Sequence, residues 1–255
     1  MTTRYEAYMD GTSLSSLDNS IVILDISHRK PEIEVSAVSL AEMPGSKILR
    51  RVVRGASVSI SFMIRKYSIS DRQEVCDKVV AWANGSLLKT NDRDGKRLKV
   101  ICETYPEISS AMRWTDPVNM IFTAVERPFW EDDAQTTLTL TGTDTQGNMS
   151  VPGSAGEALV EATVTANAAV TGITLVAGST EIELEDISMS QNDVVTIDYD
   201  ANGHQRIRKG NTSILDSRTK ESSDDLLAAC GKVVGFAAEA DSSVTVVFKV
   251  RGCWL

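Results

Sequence analysis

Histidine is nearly missing from this chain, with two residues in 255, His28 and His204. Catalysis near neutral pH leans on imidazole more than on any other group, so nucleophilic hydrolysis begins short of its usual base. Both histidines sit beside basic residues in stretches that read as turns, and neither stands in a zinc-type Cys/His ligand spacing. The four cysteines, Cys76, Cys102, Cys230 and Cys253, are scattered with no C-x-x-C pair, which argues for buried thiols over a disulfide framework or a metal. Aromatic residues make up 5% of the chain. Trp82, Trp114, Trp130 and Trp254 are spread along it, a distribution that fits core or domain-contact packing better than a sugar-stacking platform.

Other signatures are also missing. No P-loop or Gly-x-Gly-x-x-Gly follows a strand, so a nucleotide has no cradle. Ser154 lies in Pro152-Gly153-Ser154-Ala155-Gly156, which lacks the glycine two residues ahead of a nucleophile elbow. The uncharged stretch Val164–Thr180 is broken by Thr, Asn, Gly and Ser, as strand-and-turn sequence is and a membrane span is not. Met1–Glu6 lacks the apolar core of a secretory signal, and the expectation is a product of the cytoplasm with no membrane insertion.

Carboxylates, by contrast, are plentiful. Two clusters, Glu131-Asp132-Asp133 and Glu181-x-Glu183-x-Glu185-Asp186, are the obvious places to look for a glycosidase pair. Ile182 and Leu184 alternate with the three glutamates, which puts the acids on the solvent face of one strand. Asp92-x-Asp94-Gly95 lacks the later ligands of a calcium loop. The expectation is no catalytic residue, no cofactor and no metal.

Net charge is −9, unevenly spread. Residues 1–133 carry 18 Lys and Arg against 19 Asp and Glu, whereas residues 134–255 carry 8 against 16. Such asymmetry suggests two domains with different surfaces, and the acidic balance disfavours tight nucleic-acid binding.

Hydrophobic periodicity supplies the elements. Ile21–Ile26 is a strand apolar enough for cover on both faces, Ile33–Val38 alternates, and Met43-Pro44-Gly45-Ser46 is a turn. In Val58–Ile64 the residues Val58, Ile60, Phe62 and Ile64 share one face. A single helix near 71–84 follows, with Ser70 as N-cap, Gln73 completing a capping box, and Val75, Cys76, Val79, Val80 and Trp82 in one stripe. Asn84-Gly85 ends it. Next come a hairpin through residues 91–95, with Leu98, Val100 and Cys102 on its returning strand, and a strand Val118–Val125 running into Arg127-Pro128-Phe129-Trp130. Beyond residue 133 short strands recur at sandwich spacing: 136–140, 159–165, 172–176, 181–184, 193–199, 205–208, 233–236 and 244–251. Gly142–Gly156, rich in glycine, reads as a loop or linker.

The order of these elements resembles the distal tail proteins of long-tailed, non-contractile (siphovirus-type) bacteriophages and prophages. It is carried by an early strand after Gly11, the Met43-Pro44-Gly45-Ser46 turn and the Val58–Ile64 strand. The helix ending Trp82-Ala83-Asn84-Gly85-Ser86-Leu87-Leu88 and the close on Phe122–Trp130 complete it. Two features depart from the family pattern: Ala238-Glu239-Ala240-Asp241 stands where a Pro-Gly-x-Asn turn is usual, and the Pro152-Gly153 loop lacks the usual Arg and acid.

The resemblance implies a mainly β chain. Residues 1–133 would form a ring-forming β-sandwich-like (belt) domain with one α-helix packed on it, and residues 134–255 a galectin-like β-sandwich. It also implies a homo-hexamer in the virion at the tail tip, assembled in the host cytoplasm. That ring would join the tail tube protein to baseplate, fibre or tail-associated lysin proteins while DNA passes through its bore. A ring closes by head-to-tail contacts between two different surfaces; Arg50, Arg51 and Arg54 are expected to face Glu131, Asp132 and Asp133 across that contact. Three other readings stay open at this point: a carbohydrate-binding module, a glycosidase and a tail-tube subunit. The second half carries few aromatics for sugar stacking, namely Tyr199, Phe236, Phe248 and Trp254.

Overall fold

The computed structural model describes residues 5–39, 46–53, 55–109, 111–125, 127–200 and 203–255, with backbone alone for Ile33 and residues 35–39 and 46–53. The chain is mainly β and divides into two compact units, Met1–Trp130 with Leu255, and Glu131–Trp254.

In the first unit the strands are β1 (Ala7–Met9), β2 (Thr12–Ser13), β3 (Ile21–Arg29), β4 (Ile33–Ser39), β5 (Ser46–Val53) and β6 (Ser57–Ile64), then helix α1 (Ile69–Ala83), β7 (Leu87–Thr90), β8 (Lys96–Thr104) and β9 (Val118–Ala124). They order as β2-β1-β7-β8-β9-β6-β3, each neighbouring pair antiparallel, while β4 and β5 form a two-stranded sheet of their own. The turn between β1 and β2 is Asp10-Gly11 with φ of 49° and 85°, the two positive values that a tight hairpin of this hand requires.

Strand β6 is the clearest case of sequence fixing structure. Val58, Ile60, Phe62 and Ile64 are all buried and the residues between them are not. Strand β3 departs from the expectation of cover on both faces. Ile21, Ile23 and Ile26 are buried while Leu24 and Asp25 are exposed. The register slips between Ile23 and Asp25, so Leu24 is the extra residue of a bulge and the inward phase shifts by one. The five apolar residues among Ile21–Ile26 thus bury only one face.

Helix α1 starts earlier than its sequence suggests. Its N-cap is Ser68, in extended conformation and without a side-chain capping bond, so Ser70 lies inside the first turn and the expected capping box does not form. Arg72, three residues before Val75, joins the buried stripe with Val75, Cys76, Val79, Trp82 and Ala83. The stripe lies against the sheet: Trp82 meets Phe122 edge to face at 6.0 Å, and its indole N–H donates to the Thr12 carbonyl at 2.7 Å. The helix ends at Asn84, but Gly85 is not in the left-handed conformation. It is needed because a Cβ there would lie 2.3 Å from Met9 Cγ and 2.4 Å from the Asp10 carboxylate. That carboxylate accepts the N–H groups of Ser86 and Leu87 and ties the helix end to the first hairpin.

The division between the units falls within β10 (Trp130–Asp132). In the second unit the strands are β11 (Thr136–Val151), β12 (Glu157–Ala166), β13 (Ile173–Ala177), β14 (Thr180–Leu184), β15 (Val194–Tyr199), β16 (Gln205–Lys209), β17 (Thr212–Ser213), β18 (Leu227–Ala229), β19 (Lys232–Val250) and β20 (Cys253–Trp254). Strand β19 is the spine. Along one edge it pairs with β11 over nearly its whole length; along the other it pairs first with β13, then with β12.

Twelve residues of straight strand span about 40 Å, yet the rings of Phe236 and Phe248, twelve positions apart on β19, lie 5.1 Å apart. The spine must therefore bend back on itself. Both rings are buried where its two ends meet, which is how a single hydrogen-bonded sheet encloses a sandwich core.

Two expectations fail here, for one reason. Gly142–Val151 is paired strand and not a loop, and 233–236 and 244–251 are the ends of one strand that runs through Ala238–Asp241. The bend occupies the stretch where the sequence loses its apolar alternation. Gly142, at φ 149°, sits at a register shift, and a Cβ at Gly147 would press on Leu140 and Leu138. These glycines shape a strand instead of interrupting one.

Candidate interaction surfaces

The histidines and acids weighed as candidates for chemistry are used for structure. His28 lies in β3 and not in a turn, and its Nε2 is 2.6 Å from the Asp92 carboxylate in the hairpin between β7 and β8. Its ring meets the edge of Trp130 at 5.3 Å, and the Arg93 guanidinium lies 5.1 Å over the same indole. A His–carboxylate pair packed on a buried tryptophan holds a chain crossing in place. His204 Nδ1 is 3.5 Å from Asp200 in an exposed turn. Among the described residues no group of three or more His, Cys, Asp or Glu is placed to hold a metal ion.

Of the expected contact residues, Arg50 and Arg51 lie in β5, opposite Ser36 and Val35, and Arg54 falls outside the described residues, as do Met43, Pro44 and Gly45 of the expected turn. Glu131 and Asp132 belong to β10, with Asp133 just after it. Within the second unit the Asp132 carboxylate accepts the Trp254 indole N–H at 2.8 Å, and its backbone N–H donates to the Gly252 carbonyl at 2.8 Å. Arg251 donates to the carbonyls of Asp132 and Asp133. A Cβ at Gly252 would sit 2.3 Å from Asp132 Oδ2, so glycine is required for this approach. The Asp132 carboxylate and the backbone carbonyls of Asp132 and Asp133 therefore tie down Arg251–Trp254.

Glu181 and Glu185 are exposed beside buried Ile182 and Leu184, as their alternation implies. Cys76 is buried and its thiol donates to the Pro106 carbonyl at 3.5 Å; Cys102 is half-buried. Burial pushes both thiols above the ordinary range, and Asp77 adds to the effect at Cys76. Among the tryptophans, Trp82 and Trp130 are core residues, but Trp114 is exposed and pairs edge-on with Tyr67 at 5.5 Å. Sequence reasoning missed that pair, since the two residues come from distant segments that share no periodicity.

In these arrangements the side chains weighed as candidates hold the fold together. No protein-family model matches the sequence, and no curated protein matches it. Solved structures do. The chain is similar to the SPP1 Dit protein, described as a paradigm of the hub adsorption apparatus in phages that infect Gram-positive bacteria. The TM-score is 0.72 at 12% identity, over 98% of this chain and 99% of that one. It is also similar to a chain of the phage p2 baseplate in its activated conformation with Ca, with a TM-score of 0.53 at 10% identity, over 99% and 98% of the two chains. The same baseplate with Sr gives 0.52 at 10% identity over 97% of each chain. The chain thus has the fold of a phage hub protein from end to end, in keeping with the resemblance read in its sequence.

Proposed function

We propose that this chain is a structural adaptor of a bacteriophage tail tip, a ring-forming protein that joins the tail tube to the baseplate or host-recognition apparatus and works without catalysis. The observation that carries this reading is the full-length likeness to the SPP1 hub protein, which spans both units at once. Sharing one unit alone would indicate a reused module; sharing both in order supports a shared architecture. In this reading residues 1–133 build a hexameric ring, and residues 134–255, galectin-like in fold, stand as a platform for fibre or lysin proteins.

The ring contact is head-to-tail, which needs two different surfaces on every copy. Strands β4 and β5 supply one, because a two-stranded sheet is marginal alone and gains from a neighbour's cover. Their Arg50 and Arg51, with Arg54 beyond, would meet the Glu131-Asp132-Asp133 cluster of the adjacent copy, chiefly through Glu131 and Asp133, since Asp132 already accepts from Trp254.

Native mass spectrometry and negative-stain microscopy of the purified chain test this. Rings of six are expected. Long open tubes would replace the adaptor with a tail-tube subunit, and a monomer whose second unit binds glycans saturably would replace it with a recognition module.

A further inference from the structure

Among the described residues of the first unit, Tyr67 is exposed far beyond its role in the fold: 85% of it faces solvent. It lies between the end of β6 and the start of α1, and its ring meets Trp114 edge-on. Met63, Arg65 and Thr115 complete an open cleft of about 540 Å³ with the two rings. Both Arg65 and Arg113 are exposed, and neither makes an ion pair among the described residues.

The position of Trp114 is built in. The segment that follows β8 is clasped to α1 at three points: Tyr105 Oη donates to Asn84 Oδ1 at 2.6 Å, Cys76 Sγ to the Pro106 carbonyl, and Arg72 Nη1 to the Met112 carbonyl at 2.9 Å. Asp116 Oδ2 then accepts the Arg113 N–H at 2.6 Å and closes the turn that bears the indole. Arg72 is itself buried, with Nε unpartnered. A buried cation costs free energy, and here it holds an exposed aromatic side chain in place. A tryptophan held in place with Tyr and Arg beside it has the make-up of binding hot spots, where ordering in advance lowers the cost of association.

Charge selects the occupant. The patch is basic, while residues 134–255 carry an excess of eight acids, with Glu181, Glu185 and Asp186 exposed among them. We infer that the Tyr67–Trp114 patch is a docking surface for a second copy of this chain, whose acidic 134–255 half sets carboxylates against Arg65 and Arg113. The inference rests on the ring reading and adds a specific contact to it. A basic aromatic patch meeting a separate acidic surface is a heterologous contact, of the kind a ring admits, and it adds to the seam that residues 1–133 form between copies.

The test is sedimentation velocity of the full chain across concentration, at low and high salt, for wild type, Tyr67→Ala/Trp114→Ala and Arg65→Glu/Arg113→Glu. Circular dichroism melts verify that each variant folds. Wild type should associate and weaken with salt. The aromatic double variant should weaken association roughly thirtyfold or more, and the charge-reversed variant should lose both association and its salt dependence. Variants that ring as wild type does overturn this patch and leave the ring reading standing. A wild-type chain that stays monomeric throughout overturns both, and salt-insensitive association overturns the assignment of an acidic partner face.

Discussion

Replacing Trp82 by alanine removes the largest apolar side chain that α1 buries. An indole buries about 150–250 Å², and at roughly 25 cal/mol per Å² that is worth about 4–6 kcal/mol as an upper bound. Measured Trp-to-Ala losses in cores, about 3–5 kcal/mol, already include the cavity. The Thr12 carbonyl would also lose its donor at 2.7 Å, and Phe122 its edge-to-face partner. The expected loss is about 4 kcal/mol, a large share of the 5–15 kcal/mol typical of a domain. For a unit near this size each kcal/mol lowers Tm by about 3–5 °C, so Trp82→Ala should melt some 15 °C lower. Trp82→Phe, which keeps a ring and drops the hydrogen bond, should lose about 1–2 kcal/mol. Urea titrations followed by tryptophan fluorescence and circular dichroism read both variants. Should Trp82→Ala lose less than about 1 kcal/mol, α1 is an ornament on a sheet that folds without it.

Three further outcomes follow from the geometry. Gly153→Ala should destabilise the second unit by about 2–4 kcal/mol in chemical denaturation, because φ is 129° and the new Cβ would lie 2.3 Å from the Cys253 carbonyl oxygen; a neutral result would mean that the Pro152–Gly156 turn adapts freely. At Asp241 the Thr171 hydroxyl first, and then the backbone N–H groups of Thr171 and Gly172, hold the carboxyl below its ordinary 3.8. Its stabilisation is therefore complete above that value and fades as pH falls through the lower folded one, so Asp241→Asn should flatten the fall of Tm below about pH 4. An unchanged acid slope would remove Asp241 from that account. Thiol labelling of the native chain should modify half-buried Cys102 before buried Cys76, both slowly and faster as pH rises, since burial disfavours each thiolate. Mass mapping at timed points checks the order.

Much of the fold was legible because burial has a period. The alternation of β6, the stripe of α1 and the hairpin after β7 are each written in adjacent residues. What escaped were places where tertiary structure shifts the phase. A bulge at Leu24 turned a half-covered strand into a continuous apolar run. Ser70 and Gln73 had the spacing of a capping box, but the chain entered the helix at Ser68, and only Arg72 on the apolar stripe hinted at an earlier start. Asp10-Gly11, a strong hairpin dipeptide, passed unread because the strands it joins have three and two residues.

The glycines of residues 142–156 and the surfaces show the same limit from two sides. Glycine says that backbone must bend or be approached closely, and a linker and a folded spine give it equal use. The deciding fact is Phe236 meeting Phe248, a contact made across a bend that neither a helical nor a strand period registers. Surfaces are harder still. Tyr67 and Trp114 become neighbours only after α1 and the segment beyond β8 are clasped together, while Asp132, singled out for its charge, is engaged by Trp254. A cluster of like charge in sequence can be consumed by the fold that contains it. Exposed aromatic side chains held by buried polar bonds cost stability, and if the chain is the adaptor proposed above, such unrecovered costs mark where a partner is due.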